Sequence, residues 1–214
     1  MKTAKEDFFL KKRKEEKTIT FLTKEELVQF FEAIKKSDKK YRLRDLTLFK
    51  VMYLGGLRAS EVQLLKLENY KPTTKELFIK RLKGSNNTTI RITKTEYIRL
   101  INNYIKEYSG DDLNKINNNS DYLFKGQNWK PLDLEAIRFL FKEYSKLAGL
   151  PKEKQHPHIL KHTIAVHLAE NGADIKDLQY YLGHKNINNT IIYFQYTTKQ
   201  LDHFYNKINF NNLV

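Results

Sequence analysis

Between His158 and Tyr193 the chain reads HILKHTIAVHLAENGADIKDLQYYLGHKNINNTIIY, and this stretch constrains the fold more than any other. Two glycines punctuate it. In the segment before Asn171-Gly172, Leu160, Ile164 and Leu168 recur every four residues and predict one core-facing ridge of a helix, while His158, Lys161 and His162 share another face. The basic groups are therefore expected to converge on one patch. Gly172 can take positive φ without strain and stops that helix, Asp174 can cap the next, and Ile175, Leu178 and Leu182 give the second helix its apolar stripe. Gly183 then stops it and leaves His184 on a turn, followed by a short helix that ends at Tyr193.

The rest of the chain reads as mainly α with a small antiparallel β-sheet. Thr23-Lys24-Glu25-Glu26 is a capping box ahead of Leu27, Phe30, Phe31 and Ile34, so a helix starts at Thr23. A second helix is expected from about Arg42 to Tyr53, broken at Gly55-Gly56, and a third from Ser60 with Val62, Leu64, Leu65 and Leu67 inward. Arg58 lies at that break. There its guanidinium fork suits a phosphate, helped by free N–H groups at the following helix start, or it pairs with Glu61. Leu77-Phe78-Ile79 and Thr88 to Ile92 are β-prone runs around a turn-forming Lys83-Gly84-Ser85-Asn86-Asn87, which predicts a hairpin with Lys83 at its tip or edge. Helices follow at about Lys94 to Tyr108 and Leu134 to Leu147, separated by a polar loop and a short strand at Tyr122-Leu123-Phe124.

Charge points to a partner. Thirty-nine Lys and Arg against 25 Asp and Glu give +14, and such a field attracts polyanions, with nucleic acid first among them. Residues 1–20 read as a basic arm in which Lys11, Lys12, Arg13 and Lys14 could touch DNA phosphates, ahead of one domain over residues 21–214. No apolar run approaches the roughly 18 residues that span a bilayer, and the N-terminus lacks a signal-peptide pattern, so a cytoplasmic protein with no membrane partner is expected. The chain has no cysteine, which removes disulfides, thiolate catalysis and cysteine-based zinc sites. His158 and His162 could hold zinc from one helix face, but no HExxH acid accompanies them.

From about Phe21 onward the ordered set FLTKEEL, GLRASE with Arg58 and Glu61, hairpin Lys83, HILKH, the LGH of His184, and Tyr193 nine residues later resembles the tyrosine recombinase (phage integrase) family. Each motif alone is a modest signal; their order and separations make the set specific. The resemblance implies the catalytic-domain fold of that family and a transesterification on double-stranded DNA that needs neither metal nor other cofactor. Tyr193 would attack a backbone phosphate to form a 3'-phosphotyrosine, with Arg58, His158 and His184 around the phosphate oxygens. Lys83 would protonate the leaving 5'-oxygen, and Glu61 would orient Arg58. Tyr196 is a rival nucleophile, but the spacing from His184 and the position of Thr190 favour Tyr193. The remaining histidines, His156, His162, His167 and His203, read as structural.

Two departures from the family pattern stand out. Lys161 occupies the position where the family's HxxR segment carries arginine, which replaces a planar fork by a point charge and implies cleavage slower by on the order of a hundredfold. The family's separate N-terminal core-binding domain is not expected in the roughly twenty residues before FLTKEEL. Leu201, Phe204, Tyr205 and Ile208 suggest a helix at 198–208 that docks on a neighbouring copy or on its own domain. Two other functions fit the residues: relaxase-like nicking and rejoining of a single strand in plasmid transfer, and a DNA-binding protein with a decayed site that uses residues 158–182 as a helix-turn-helix.

Overall fold

Helix α1 (Lys24–Lys36) begins at the capping box. In the computed structural model, which describes residues 19–109, 121–126 and 130–194, the Thr23 hydroxyl accepts from the Glu26 N–H at 3.2 Å and the Glu26 carboxylate accepts from the Thr23 N–H at 2.8 Å. Each satisfies a donor the helix end would leave open. Leu27, Phe30, Phe31 and Ile34 then form the buried face.

Two helices are buried around most of their circumference and occupy the centre. These are α2 (Arg42–Gly55) and α6 (Ile159–Glu170), which pack on each other. Helices α1 and α4 (Thr95–Ser109) cover α2, and α5 (Leu134–Leu147) lies against α1. Phe30, Phe49 and Phe141 join α1, α2 and α5, with ring centroids 4.7–5.6 Å apart. The Leu22 N–H donates to Thr163 Oγ1 at 2.9 Å and ties the entry to α1 onto α6.

The sheet has three antiparallel strands in the order β1 (Tyr70–Lys71), β2 (Glu76–Ile79) and β3 (Thr88–Arg91). Leu77 pairs with Ile90 and both are buried, whereas Phe78 and Thr89 face outward. Strand β1 is too short to show a two-residue period, so the sequence pattern reveals only the β2–β3 hairpin.

Three expectations are corrected. The helix after Arg58 is a single four-residue turn, α3 (Ala59–Val62), and Leu64 is exposed because the chain leaves helical geometry before it. Tyr122 makes one isolated bridge to Lys66 instead of a strand. Lys161 does not share an open patch with His158 and His162; it is 1% exposed. Helices α7 (Ile175–Leu182), capped by the Asp174 carboxylate on the Lys176 N–H at 2.7 Å, and α8 (Asn188–Ile191) complete the chain up to Tyr193. Among the described residues no helix is long and apolar enough to cross a membrane. Lys11, Lys12, Arg13, Lys14, Tyr196 and the 198–208 segment lie outside the described residues.

Candidate active site

Arg58, Lys83, His158, Lys161, His184 and Tyr193 all line one cleft of about 300 Å³. They come from four places in the sequence, and backbone devices bring each of them there.

Arg58 follows the end of α2, where Gly56 at φ 54° terminates the helix with its N–H on the Tyr53 carbonyl at 3.1 Å. A Cβ at Gly56 would press on Leu182, so α7 can approach only because the residue is glycine. The Arg58 N–H is not free to meet an anion: it donates to Glu61 Oε2 at 2.9 Å, and its Nη1 donates to Glu61 Oε1 at 2.6 Å. The α3 start is thus occupied by its own carboxylate. Glu61 is 1% exposed; burial pushes its carboxyl up, but the Arg58 N–H and the charges of Lys161, Arg81 and Arg58 together hold it below the usual range.

Arg81 is the residue the sequence reading missed. It is buried and donates five hydrogen bonds, to Thr88 Oγ1 (3.2 Å), Gly56 O (2.9 Å), Glu61 Oε2 (3.2 Å), Gly55 O (2.8 Å) and Tyr181 O (2.9 Å). One guanidinium therefore joins the end of α2, the end of α7, β3 and the Glu61 carboxylate. A signal existed: Leu77, Ile79 and Arg81 alternate onto the same face, so Arg81 points inward.

Lys83 sits just beyond, exposed at the hairpin tip with φ 56°. That left-handed backbone costs a non-glycine residue about 1–2 kcal/mol. Gly84 takes φ 71° next to it, and the Asn86 N–H donates to the Gly183 carbonyl at 2.9 Å, fastening the tip to the turn after α7. Gly183 itself has φ 70°, and a Cβ there would run into the Asn86 carbonyl oxygen. Gly183→Ala should therefore cost about 2–3 kcal/mol by combining positive-φ strain with that clash. Chemical denaturation checks it, and an unchanged midpoint would refute the account of this turn.

His184 is buried on that turn, with Nδ1 3.0 Å from Thr190 Oγ1. Its ring stacks near Tyr193 at 6.4 Å and 17°. Burial, then Lys161 and Arg58, push its pKa down to about 4. His158 is exposed at the N-terminal end of α6 and is likewise pushed down to about 4, by partial burial first and then by Lys161 and Arg58. Both imidazoles are neutral near pH 7 and act as hydrogen-bonding groups, so the positive charge comes from the arginines and lysines. The His158 and His162 rings meet edge to face at 4.5 Å, and among the described residues no group of three potential metal ligands is assembled.

Lys161 donates from Nζ to Gly56 O at 3.0 Å and to Leu182 O at 3.2 Å. Its ammonium is fixed at the floor of the cleft by two carbonyls. An ammonium has three N–H bonds, so a third donor remains for a ligand in the cleft.

Tyr193 is 2% exposed, and its hydroxyl lies 3.0 Å from His162 Nδ1. Burial pushes the phenol up to about 12, against a smaller opposing pull from Arg58. The arrangement sets a shielded hydroxyl beside a cluster of fixed cations and neutral imidazoles, which is chemistry suited to a phosphodiester.

The profile of the Phage integrase family matches residues 20–200. The tyrosine recombinase XerA of Pyrococcus furiosus is 33% identical over 183 residues, covering 84% of this chain and 58% of that protein. The tyrosine recombinase XerC of Pediococcus pentosaceus is 26% identical over 197 residues, covering 92% and 64%. Among solved structures, the XerH site-specific recombinase bound to difH substrate in a pre-cleavage complex superposes with a TM-score of 0.72 at 27% identity, covering 86% of this chain and 53% of that one. The chain thus spans less than two-thirds of the length of each of these relatives.

Proposed function

Since the chain belongs to the phage integrase family, we propose that it cleaves and rejoins DNA strands through a phosphotyrosine and so carries out site-specific recombination or integration of mobile DNA. The observation that carries this reading is the convergence of all six candidate groups on the cleft that holds Tyr193. Tyr193 Oη attacks the phosphorus of a backbone phosphodiester, the P–O5' bond breaks, and Lys83 gives its proton to the departing oxygen. Arg58, Lys161, His158 and His184 donate to the non-bridging oxygens as their charge grows. Attack by another 5'-hydroxyl runs the sequence in reverse. The bond energy stays in the phosphotyrosine, so rejoining needs no nucleotide.

In this reading the +14 charge binds double-stranded DNA in the cytoplasm, and the basic arm at 1–20 and the 198–208 segment contribute phosphate contacts and self-association. The test is incubation with nicked suicide duplexes tiled across the sequences flanking the chain's own gene. A covalent protein–DNA adduct is expected, together with its complete loss in Tyr193→Phe. Joined products from two duplexes mark recombination. Binding without an adduct would overturn the enzymatic reading, and rejoining confined to one nicked strand would replace recombination with relaxase-like transfer.

A further inference from the structure

Attack by Tyr193 creates a phosphate ester from a neutral phenol, so the phenolic proton must go to an acceptor. The groups nearest the cleft are poor ones. The Arg58 guanidinium has donors only, Lys161 already donates to two carbonyls, Lys83 is needed with its proton on the leaving-group side, and the His158 ring packs edge to face on His162 at 4.5 Å rather than meeting the Tyr193 hydroxyl. His184 has Nδ1 committed to Thr190. His162 is different: its Nδ1 stands 3.0 Å from Tyr193 Oη, with the rings tilted by 46° at 5.8 Å.

We propose that His162 is a catalytic residue whose Nδ1 accepts the phenolic proton of Tyr193 as the tyrosine oxygen bonds to phosphorus. The inference rests on the strand-transfer reading above and adds to it the destination of one proton.

Burial and the chemistry of the phenol assign the direction of this bond. Among the described residues His162 Nδ1 is the hydrogen-bond partner of the Tyr193 hydroxyl, which is buried. A buried phenol proton without an acceptor is costly, so the proton lies toward Nδ1 and the ring carries its own proton on Nε2. Its surroundings keep His162 neutral and open to accept at rest: burial first, then His158, His156 and Lys161, push its pKa down to about 3, so its basicity must rise when the negative charge of the phosphate enters the cleft beside it. With the phenol held up at about 12, no phenolate forms at rest. Transfer is coupled to attack, when bonding to phosphorus acidifies the phenol and the phosphate charge favours an imidazolium.

The step balances. The Tyr193 O–P bond forms, the P–O5' bond breaks, the phenolic proton moves to His162 and a Lys83 proton moves to O5'. On rejoining, the attacking 5'-hydroxyl returns a proton to Lys83, and His162 returns its proton to the tyrosine oxygen.

His162→Asn tests this, because an amide oxygen can accept the same hydrogen bond but is not basic. On the suicide duplexes its first-order rate of adduct formation should fall by about 10²–10⁴-fold with duplex affinity unchanged. Placing a trifluorotyrosine, a more acidic phenol, at position 193 should restore most of the rate in His162→Asn and change the parent chain little. A residue that merely packs Tyr193 would give no such selective rescue. Wild-type rates in a folded His162→Asn protein, or equal acceleration of both backgrounds by the fluorinated tyrosine, would overturn the inference while leaving strand transfer standing. Absence of an adduct from the parent chain would overturn both.

Discussion

Arg81→Met should be the most damaging single substitution outside the six groups that line the cleft. It leaves the Glu61 carboxylate short of one of its two guanidinium partners and strips a donor from the Gly55, Gly56 and Tyr181 carbonyls at once. Breaking a buried ion pair from one side costs about 3–5 kcal/mol, which in a domain of this size lowers the melting temperature by roughly 6–20 °C. At temperatures where the variant is folded, adduct formation should still fall by about 10²-fold, because Arg58 loses the anchor behind Glu61. Arg81 acts through other residues, so a cycle with Arg58→Ala separates positioning from general weakening. Once Arg58 is gone, removing Arg81 should cost cleavage little more. Full additivity would show that Arg81 only supports the fold. Arg81→Lys should recover part of the stability but little of the rate, since one ammonium cannot reach five acceptors.

Lys161→Arg should change the pH profile. Burial first, and then the neighbouring Arg81 charge, push the Lys161 ammonium down to about 7, with Glu61 pulling the other way and Arg58 adding to the depression. The charge is present below that value and lost as pH rises through it. His158, His162 and His184, pushed to about 4 or lower, stay neutral throughout and do not mask the change. Single-turnover cleavage by the parent chain should therefore decline by about tenfold or more from pH 7 to pH 9, while an arginine, protonated throughout, should hold the rate flat. Stability runs the opposite way. In the unfolded chain the lysine keeps its proton to about 10.4, so between about 7 and 10.4 the unfolded state binds more protons and rising pH stabilises the fold. Equal pH profiles for the two proteins would refute this role for Lys161.

The helices and most of the cleft were legible because they depend on local chemistry. The Thr23 capping box, the α1 stripe and the Gly172 and Gly183 stops act over three or four residues and can be read by eye. The six groups of the cleft could be assembled in advance only because their ordered motifs resemble a known family. What remained hidden depends on partners far apart in sequence. Arg81 meets Tyr181 across 100 residues, and Lys161 meets Gly56 across 105. No periodicity records such a bond. His162 was read as structural for the same reason: its distinction lies in a tyrosine 31 residues away that returns to it through α7 and α8. The third helix looks longer in sequence than it is because Leu64, Leu65 and Leu67 fit an apolar stripe, whereas Leu65 and Leu67 are buried from backbone beyond α3 and Leu64 is exposed.

The carbonyls that grip Arg81 and Lys161 have a further consequence. Gly55 and Gly56 end α2, and Tyr181 and Leu182 end α7, so two helices point their partially negative C-terminal ends at the same small volume. Helix N-termini commonly bind phosphate directly. Here the polarity is reversed and works in two stages: the macrodipoles hold mutually repelling cations together, and the cations then present their field to the cleft. The electrostatic trap is thus built into the backbone, and a second polyanion-binding site could be engineered by bringing two helix C-termini together and supplying the cations afterwards.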